Sequence, residues 1–130
     1  MKVVLVEDSV IVRARLTLQL TRIAGVQVTG HASGEDEAVE LVLRQRPDLV
    51  LMDIGLESGD GLSALLRIRA TESRIRIWML TNHVSSEDRQ RGKAGGAEHF
   101  FAKNTEIEKL IAQIRAIHLV PSSMCCLPEM

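Results

Sequence analysis

The stretch "VVLVEDSV", Val3 to Val10, decides the fold because an unbroken apolar run ends there in two adjacent acids. An apolar run of this kind is typical of a strand that is buried on both faces of a parallel sheet. Glu7 and Asp8 follow the run, and no Lys or Arg stands directly beside them. The next residue, Ser9, has a hydroxyl that can cap a helix. The stretch therefore predicts a buried strand, a turn with two negative charges, and the start of a helix.

Strand-like and helix-like segments alternate five times along the chain. Apolar runs predict strands at residues 2–6, 26–31, 48–52, 75–80 and 97–102. Helical patterns occupy residues 9–24, 33–44 and 85–96, the segment after a Gly-rich and Asp-rich loop at 55–61, and residues 105–118. Alternation of this type implies right-handed crossovers and a parallel sheet that helices cover on both faces. We therefore predict an α/β fold with a doubly wound, five-stranded parallel sheet in a three-layer sandwich.

The predicted helices differ in how firmly they should pack. The first, third and fifth carry apolar stripes, which we expect to face the core: Val12, Leu16, Leu20 and Ile23; Leu62, Leu65 and Leu66; Leu110, Ile111, Ile114 and Ile117. The fourth helix has almost no apolar face and contains Gly92. A glycine inside a helix costs about 1 kcal/mol relative to Ala. The fourth helix is thus predicted to be the weakest element.

Composition limits the class of protein. The chain has 130 residues, 45% of them hydrophobic, and its 16 basic and 17 acidic residues give a net charge of about −1. This size fits one domain, predicted at residues 1–120, with a tail at 121–130. The charge balance argues against nucleic acid or a membrane surface as a partner. The N-terminal apolar run is too short for a signal peptide or a spanning helix.

Cysteine usage predicts a reduced, cytoplasmic chain. Only Cys125 and Cys126 occur, and neighbouring cysteines are poor disulfide partners. A zinc site that combines them with His118 is a weak alternative, because no second Cys or His pair has ligand spacing.

Polar side chains follow four of the predicted strands. Glu7 and Asp8 follow the first strand, Asp53 the third, Thr81 the fourth and Lys103 the fifth. Each has an ordinary explanation when taken alone: a cap, a β-forming residue or a solvated charge. In a doubly wound sheet, however, ligands bind beyond the carboxyl ends of the strands, where all these positions meet. The joint pattern therefore predicts a functional site at that edge.

Three clustered carboxylates need compensating positive charge. Two unit charges 4 Å apart repel by about 4 kcal/mol at an effective dielectric constant near 20. Lys103 supplies one positive charge, and hard oxygen ligands without His or Cys favour Mg²⁺ as another. A carboxylate beside Mg²⁺ and a Lys can act as a nucleophile and stabilise a transferring phosphoryl group. The residues alone therefore predict Mg²⁺-dependent phosphoryl chemistry.

This motif set resembles the response-regulator receiver domain, the phosphoacceptor half of two-component signalling. The resemblance covers about residues 2–118 and implies a flavodoxin-like sheet with strand order 2-1-3-4-5. It also implies a sensor histidine kinase or phosphotransfer protein as donor. A downstream protein would bind the face formed by the fourth and fifth strands and helices. The family is not enzymatic beyond self-catalysed phosphoryl transfer and dephosphorylation.

The resemblance also implies a role for each site residue. Asp53 would be the phosphoacceptor, Asp8 a direct Mg²⁺ ligand and Glu7 a ligand mostly through water. The backbone carbonyl of Gly55 would complete the metal site. Lys103 would pair with Asp53 or the phosphoryl oxygens. The switch residues would be Thr81 and Phe100, and because neighbouring strand residues face opposite sides, Phe101 is the better core candidate.

The chain departs from the family pattern at several positions, one of which is Glu7, where Asp is frequent. The loop "DIGLESGDGL" lacks the frequent Pro, so a looser loop is expected. Asn104 stands where Pro often follows the Lys with a cis bond, which leaves the isomer of the Lys103–Asn104 peptide bond open. Asn82 stands where a small residue is common, and it could tune dephosphorylation.

Four readings compete. A stand-alone receiver is favoured, and a receiver excised from a larger regulator is the alternative. A phosphohydrolase with an aspartyl nucleophile would need a second acid two residues after Asp53, where Gly55 stands. A flavin-binding module would need a phosphate loop after the first strand and aromatic residues, and the chain has one Trp, two Phe and no Tyr.

Overall fold

The order of strands in the sheet is β2-β1-β3-β4-β5, and neighbouring strands are parallel. This computed structural model describes residues 1–82, 85–103 and 105–119. The predicted α/β fold and strand order are confirmed. In chain order the elements are β1 Lys2–Val6, α1 Val10–Thr21, β2 Gln27–Ala32, α2 Glu35–Gln45, β3 Leu49–Asp53, α3 Gly61–Thr71, β4 Arg76–Thr81, α4 Ser86–Ala94, β5 His99–Ala102 and α5 Ile107–Leu119.

Two apolar layers cover the sheet, because alternate strand residues point to opposite faces. On one face, side chains of β1, β3 and β4 pack against α1 and α5; they include Leu5, Leu51, Trp78 and Leu80 with Leu16, Leu20, Leu110 and Ile114. On the other face they pack against α2 and α3; they include Val4, Val50, Met52 and Met79 with Val42, Leu62, Leu65 and Ile68. The central strands are thus buried on both sides, as the apolar run at the N-terminus predicted.

Side-chain caps fix where several helices begin. The hydroxyl of Ser9 accepts from the backbone N–H of Val12 at 3.4 Å and starts α1 directly after the acidic pair. The carboxylate of Asp60 accepts from the backbone N–H of Leu62 at 2.6 Å and starts α3. Each cap satisfies a backbone donor that has no partner within its helix. Both helices therefore start at the edge where the predicted site lies.

The predicted apolar stripes are mostly correct. Leu16 and Leu20 are buried along α1, and Leu110 and Ile114 are buried along α5. Ile23 is also buried, but α1 ends at Thr21, before the predicted end near residue 24. The placement of Leu66 on the inner side of α3 was wrong, because this side chain is 52% exposed. The buried stripe of α3 consists of Leu62, Leu65 and Ile68, and Leu66 is rotated about 100° from its neighbour Leu65.

An aromatic group lies where β4 meets the edge strand β5. Trp78 is fully buried, and its indole N–H donates to the carboxylate of Glu98 at 2.8 Å. The rings of His99 and Phe101 lie 5.1 and 5.6 Å from the Trp78 ring, centroid to centroid. Phe101 is buried in this layer, as predicted, whereas Phe100 packs at the edge of the opposite layer. Edge strand β5 is thereby attached to the core on both faces.

Some predictions lie outside the described residues. These are the tail at 121–130 with Cys125 and Cys126, and the Lys103–Asn104 peptide bond, since Asn104 is not described. Within the described residues, no helix is both long enough and apolar enough to cross a membrane.

Candidate functional site

The polar residues predicted from the strand ends lie at one edge of the sheet. In register, Val6 of β1 pairs with Met52 of β3, Asp53 pairs with Leu80 of β4, and Thr81 pairs with Ala102 of β5. The residues that follow these pairs therefore project from neighbouring strands at the same level. The structure brings Glu7, Asp53 and Lys103 into direct contact there.

Lys103 bridges two buried carboxylates. Its ammonium nitrogen Nζ lies 2.7 Å from Oε2 of Glu7 and 2.8 Å from Oδ2 of Asp53. The three side chains are 8%, 1% and 7% exposed, so the ion pairs are shielded from solvent. Charge-assisted hydrogen bonds of this length are stronger than neutral ones. Lys103 therefore fixes the relative position of β1, β3 and β5 at the site.

The remaining carboxylate oxygens of Glu7 and Asp53 are also hydrogen-bonded. The backbone N–H of Ser9 donates to Oε1 of Glu7 at 3.0 Å, and the backbone N–H of Gly55 donates to Oδ1 of Asp53 at 3.3 Å. Both oxygens of each carboxylate thus have a donor. This pattern satisfies the rule that buried polar atoms are hydrogen-bonded, and it orients both groups.

Burial and charge shift the acid–base behaviour of these groups. Burial, partly offset by the hydrogen bond from Lys103, raises the pKa of Glu7 and of Asp53 above their ordinary values. Burial would lower the pKa of Lys103, but its hydrogen bonds and charge contacts with Asp53 and Glu7 outweigh this and raise the pKa. The site without a metal therefore resists ionisation of its carboxyl groups and keeps its ammonium charged.

Asp8 completes a cluster that could hold a cation. Among the described residues, one carboxylate oxygen from each of Glu7, Asp8 and Asp53 can be chosen so that all three lie within 4.8 Å of one another. Asp8 is the most exposed of the three. Its negative charge is one of the causes that raise the pKa of Asp53. Oxygen donors without His or Cys fit Mg²⁺ better than zinc.

The other predicted residues differ in burial and in their distance along the chain from this cluster. Thr81 is buried at the end of β4, and its carbonyl accepts from the backbone N–H of Lys103 at 2.9 Å. Asn82 and Gly55 are both exposed. Phe100 is half-buried on the face of β5 that packs against α4. Thr81 therefore lies beside Lys103 at this edge of the sheet, whereas Phe100 is connected to the cluster only through β5.

Two residues that support the site were not predicted. A Cβ added at Gly61 would overlap the carbonyl oxygen of Asp53, so α3 can start there only with glycine. The carboxylate of Glu106 accepts from the backbone N–H of Ala102 at 2.8 Å, next to Lys103. The "DG" pair at residues 60–61 was a visible signal for the close approach at Gly61. No local pattern indicated the contact of Glu106.

Comparison with known proteins gives one consistent family. The family model of the response regulator receiver domain matches residues 3–115. The transcriptional regulatory protein AfsQ1 of Streptomyces coelicolor is 38% identical over 113 residues, which are 87% of this chain and 49% of AfsQ1. The response regulator protein VraR of Staphylococcus aureus is 27% identical over 114 residues, 88% of this chain and 54% of VraR. The chain therefore spans about half the length of these relatives.

Solved structures share the fold. A LuxR-family two-component response regulator from Aurantimonas sp. SI85-9A1 has a TM-score of 0.83 at 30% identity, over 89% of this chain and 83% of that one. The BeF3-activated N-terminal receiver domain of RstA from Klebsiella pneumoniae has a TM-score of 0.79 at 29% identity, over 89% and 97% of the two chains. Because the family model matches residues 3–115, most of its length, this chain belongs to the response regulator receiver domains of two-component systems.

Proposed function

We propose that Asp53 accepts a phosphoryl group, with Mg²⁺, from the phosphohistidine of a sensor histidine kinase or phosphotransfer protein. The observation that carries this proposal is the bridge of Lys103 between the buried carboxylates of Asp53 and Glu7, with Asp8 beside them. A buried carboxylate whose charge is matched by a fixed ammonium is held in one orientation for attack.

The transfer exchanges one bond to phosphorus for another. A carboxylate oxygen of Asp53 attacks the phosphorus atom, and the P–N bond of the phosphohistidine breaks. The electron pair of that bond leaves with the imidazole, and Asp53 becomes an acyl phosphate. Lys103 already lies 2.8 Å from Asp53 Oδ2 and would move to the new phosphoryl oxygens. The hydroxyl of Thr81, at the end of the neighbouring strand, would donate to the same group.

The acidic residues of the site would bind Mg²⁺ in different ways. Asp8, the most exposed of them, would bind Mg²⁺ directly, together with Asp53 and the backbone carbonyl of Gly55. Both oxygens of Glu7 are already engaged by Ser9 and Lys103, which supports a role through bound water. When bound, Mg²⁺ would neutralise charge on the transferring phosphoryl group.

The signal would leave the site through β4 and β5. Thr81 and Phe100 would change position together and bias the face formed by β4, α4, β5 and α5 between two states. A downstream protein would bind this face. Asn82, exposed beside Thr81, would tune the access of water to the acyl phosphate and thus the rate of dephosphorylation.

Two kinds of protein could contain this receiver: a stand-alone receiver and a longer response regulator. A stand-alone receiver would dock to a partner protein, whereas the half-length match to AfsQ1 and VraR favours a receiver that is part of a longer response regulator. In either setting this domain would contact proteins rather than nucleic acid or a membrane. It would act in the cytoplasm, and its own chemistry would be limited to gaining and losing one phosphoryl group.

Intact-mass measurement after incubation with acetyl phosphate and Mg²⁺ tests the proposed function. We expect one phosphoryl group on the wild type, none when Mg²⁺ is chelated, and none on Asp53→Asn. Asp36→Asn is the matched control, because Asp36 is an exposed acid on α2 outside the cluster.

Two results would overturn the assignment. Phosphate that persists on Asp53→Asn at wild-type level would exclude Asp53 as the acceptor. Rapid turnover of many phosphate esters, with release of inorganic phosphate, would favour the phosphohydrolase that the sequence left as a rival.

A further inference from the structure

Glu35, the first residue of α2, is hydrogen-bonded to the β3–α3 loop, residues 54–60. Its side chain is 18% exposed, and Oε1 accepts from the backbone N–H of Asp60 at 3.0 Å. The backbone N–H of Glu35 donates to the carbonyl of Ser58 at 2.8 Å. Oε2 pairs with Nη1 of Arg67 on α3 at 2.9 Å. One residue of α2 thus contacts the loop twice and the following helix once.

The loop also packs closely against the side chain of Glu35. Gly59 has a φ of +85°, a conformation that side chains rarely adopt, and a Cβ added there would overlap the Cβ of Glu35 and lie 2.7 Å from its Oε1. A bridge between Gly34 and Ser58 adds a backbone contact beside it. The absence of Pro led to the expectation of a looser loop. The described contacts instead attach the loop to α2.

These contacts reach the site through the loop backbone. Gly55 and Asp60 form an antiparallel bridge, and the backbone N–H of Gly61 donates to the carbonyl of Ile54 at 2.8 Å. Gly55 in turn donates its backbone N–H to Asp53. The position of the Gly55 backbone therefore depends on Asp60, and the backbone N–H of Asp60 is held by Glu35.

Asp36 is a second acid at the start of α2, but it has none of the described hydrogen bonds to the β3–α3 loop. It also pairs with Nη1 of Arg67, at 2.6 Å, and it shares the favourable position near the helix N-terminus. Its side chain is 90% exposed, however, and an exposed ion pair contributes little. If Glu35 acted only by stabilising the helix N-terminus or by pairing with Arg67, replacement of Glu35 and replacement of Asp36 would have the same effect on the site.

We propose that Glu35 is a positioning residue for the metal and phosphoryl site: it holds the β3–α3 loop so that the backbone of Gly55 faces the cation. This inference rests on the proposed function. It concerns an interaction between α2 and the loop and requires no contact of Glu35 with the cation or the phosphoryl group.

Hydrogen exchange of the metal-free protein is the first test. Glu35→Ala removes the acceptor for the N–H of Asp60, so we expect the amides of residues 55–60 to exchange faster. Glu35→Gln keeps a side-chain oxygen at this position and should preserve the protection of Asp60. Asp36→Ala should leave it unchanged. Equal exchange of Asp60 in Glu35→Ala and the wild type would overturn the inference.

Titration with Mg²⁺, by calorimetry and by the Mg²⁺ dependence of acetyl phosphate labelling, is the second test. Substitution of a residue that orients metal ligands typically lowers the affinity for the metal by tenfold or more. We expect the Mg²⁺ dissociation constant to rise roughly tenfold in Glu35→Ala and less than about twofold in Glu35→Gln and Asp36→Ala. A rise of the same size in Glu35→Ala and Asp36→Ala would assign the effect to Arg67 or the helix start instead.

The two tests separate failure of this inference from failure of the proposed function. If the wild type takes up no phosphate on Asp53 at any Mg²⁺ concentration, the proposed function is wrong. If the wild type is labelled normally and Glu35→Ala has the same Mg²⁺ affinity, only the positioning role of Glu35 is wrong.

Discussion

Lys103 supplies the only positive charge in contact with the buried carboxylates of Glu7 and Asp53 among the described residues. With Asp8 nearby, the site holds three carboxyl groups and one ammonium, so it has excess negative charge when all are ionised. Burial is the main cause of the raised pKa values of Glu7 and Asp53, and repulsion from a neighbouring carboxylate adds a smaller contribution to each. This buried excess of negative charge costs stability in the metal-free protein, and a bound cation would offset the cost.

Asp53→Asn should stabilise the metal-free protein at neutral pH. Because burial raises the pKa of Asp53 in the folded state, the folded state binds more protons than the unfolded state at pH values between the two pKa values. This contribution to stability therefore falls as pH rises through the interval between the two pKa values. We expect Asp53→Asn to gain on the order of 1 kcal/mol in free energy of unfolding at pH 7.

Urea unfolding at several pH values with chelator present measures this effect. The gain of Asp53→Asn over the wild type should be small near pH 4 and increase as pH rises. Asp36→Asn, at an exposed position, should show no such trend. A gain that does not depend on pH, or a less stable Asp53→Asn at neutral pH, would contradict the prediction.

The sequence located the site residues but not all of their contacts. Glu7, Asp53 and Lys103 could be placed together because the carboxyl ends of parallel strands meet at one edge. The sharing of Lys103 between two carboxylates depends on side-chain conformation, which no sequence period describes. The role of Glu35 depends on a contact with residue 60, which is 25 positions away.

Among the elements, α4 and β5 are joined by the contact between Gly92 and Phe100. Gly92 is buried, and a Cβ added there would overlap the Phe100 ring and lie 2.8 Å from its Cε2. The guanidinium carbon of Arg89 lies 5.7 Å from the centroid of the same ring. The missing side chain at Gly92 therefore makes room for an aromatic ring on the face proposed to carry the signal.

Gly92→Ala should fail to give the stability that a better helix former normally adds. The gain from helix propensity is about 1 kcal/mol, but the new methyl group must displace the Phe100 ring. We expect the full gain only when Phe100→Ala is also present, so the two substitutions should couple. Urea unfolding of the two single variants and the double variant measures this coupling.

Equal stabilisation by Gly92→Ala with and without Phe100 would contradict this prediction. Lys93→Ala is a suitable control, because Lys93 is exposed on the same helix. It should change stability by less than about 0.5 kcal/mol in either background.

At the scale of elements, sequence patterns did not predict the contacts that depend on packing between helices and strands. Gly92 was interpreted as a weakness of the fourth helix, because its cost is local and visible in the sequence. Its compensating contact with Phe100 comes from tertiary packing. Leu66 was misplaced for a related reason: it lies next to the apolar stripe of α3, and the sequence does not show whether a neighbouring element covers such a flanking residue.

For the whole molecule, binding of Mg²⁺ should raise the free energy of unfolding. The acidic residues of the site come from the turn after β1 and from the end of β3, which are far apart in an unfolded chain. A ligand that binds only the folded state stabilises it by about 2.7 kcal/mol at a free concentration 100 times its dissociation constant. We expect the thermal midpoint to rise with Mg²⁺ concentration in a calorimetric scan.

Asp8→Asn should remove most of this stabilisation, and the exposed Asp36→Asn should retain it. The comparison needs constant ionic strength, because added salt also screens repulsion between carboxylates. A midpoint of the wild type that does not change up to millimolar Mg²⁺ would contradict the magnesium assignment.

The topology was the most predictable property of the whole molecule. Five alternations of strand and helix, with right-handed crossovers, leave few ways to build the sheet. The alternation with helical segments identified the strands at both edges, including β2, which is more polar than β1. The full extent of the protein could not be predicted, because a receiver folds in the same way whether or not other domains accompany it.

The burial of Trp78 has a practical consequence. It is the only tryptophan in the chain, and its indole touches the strand that leads to Lys103 through Glu98 and His99. The emission spectrum of an indole responds to nearby charge and polarity. A movement of β5 relative to β4 would therefore change the emission wavelength or intensity of Trp78. The fluorescence of Trp78 thus reports on the edge strand without an added label, and the indole lies on the face of the sheet opposite Phe100.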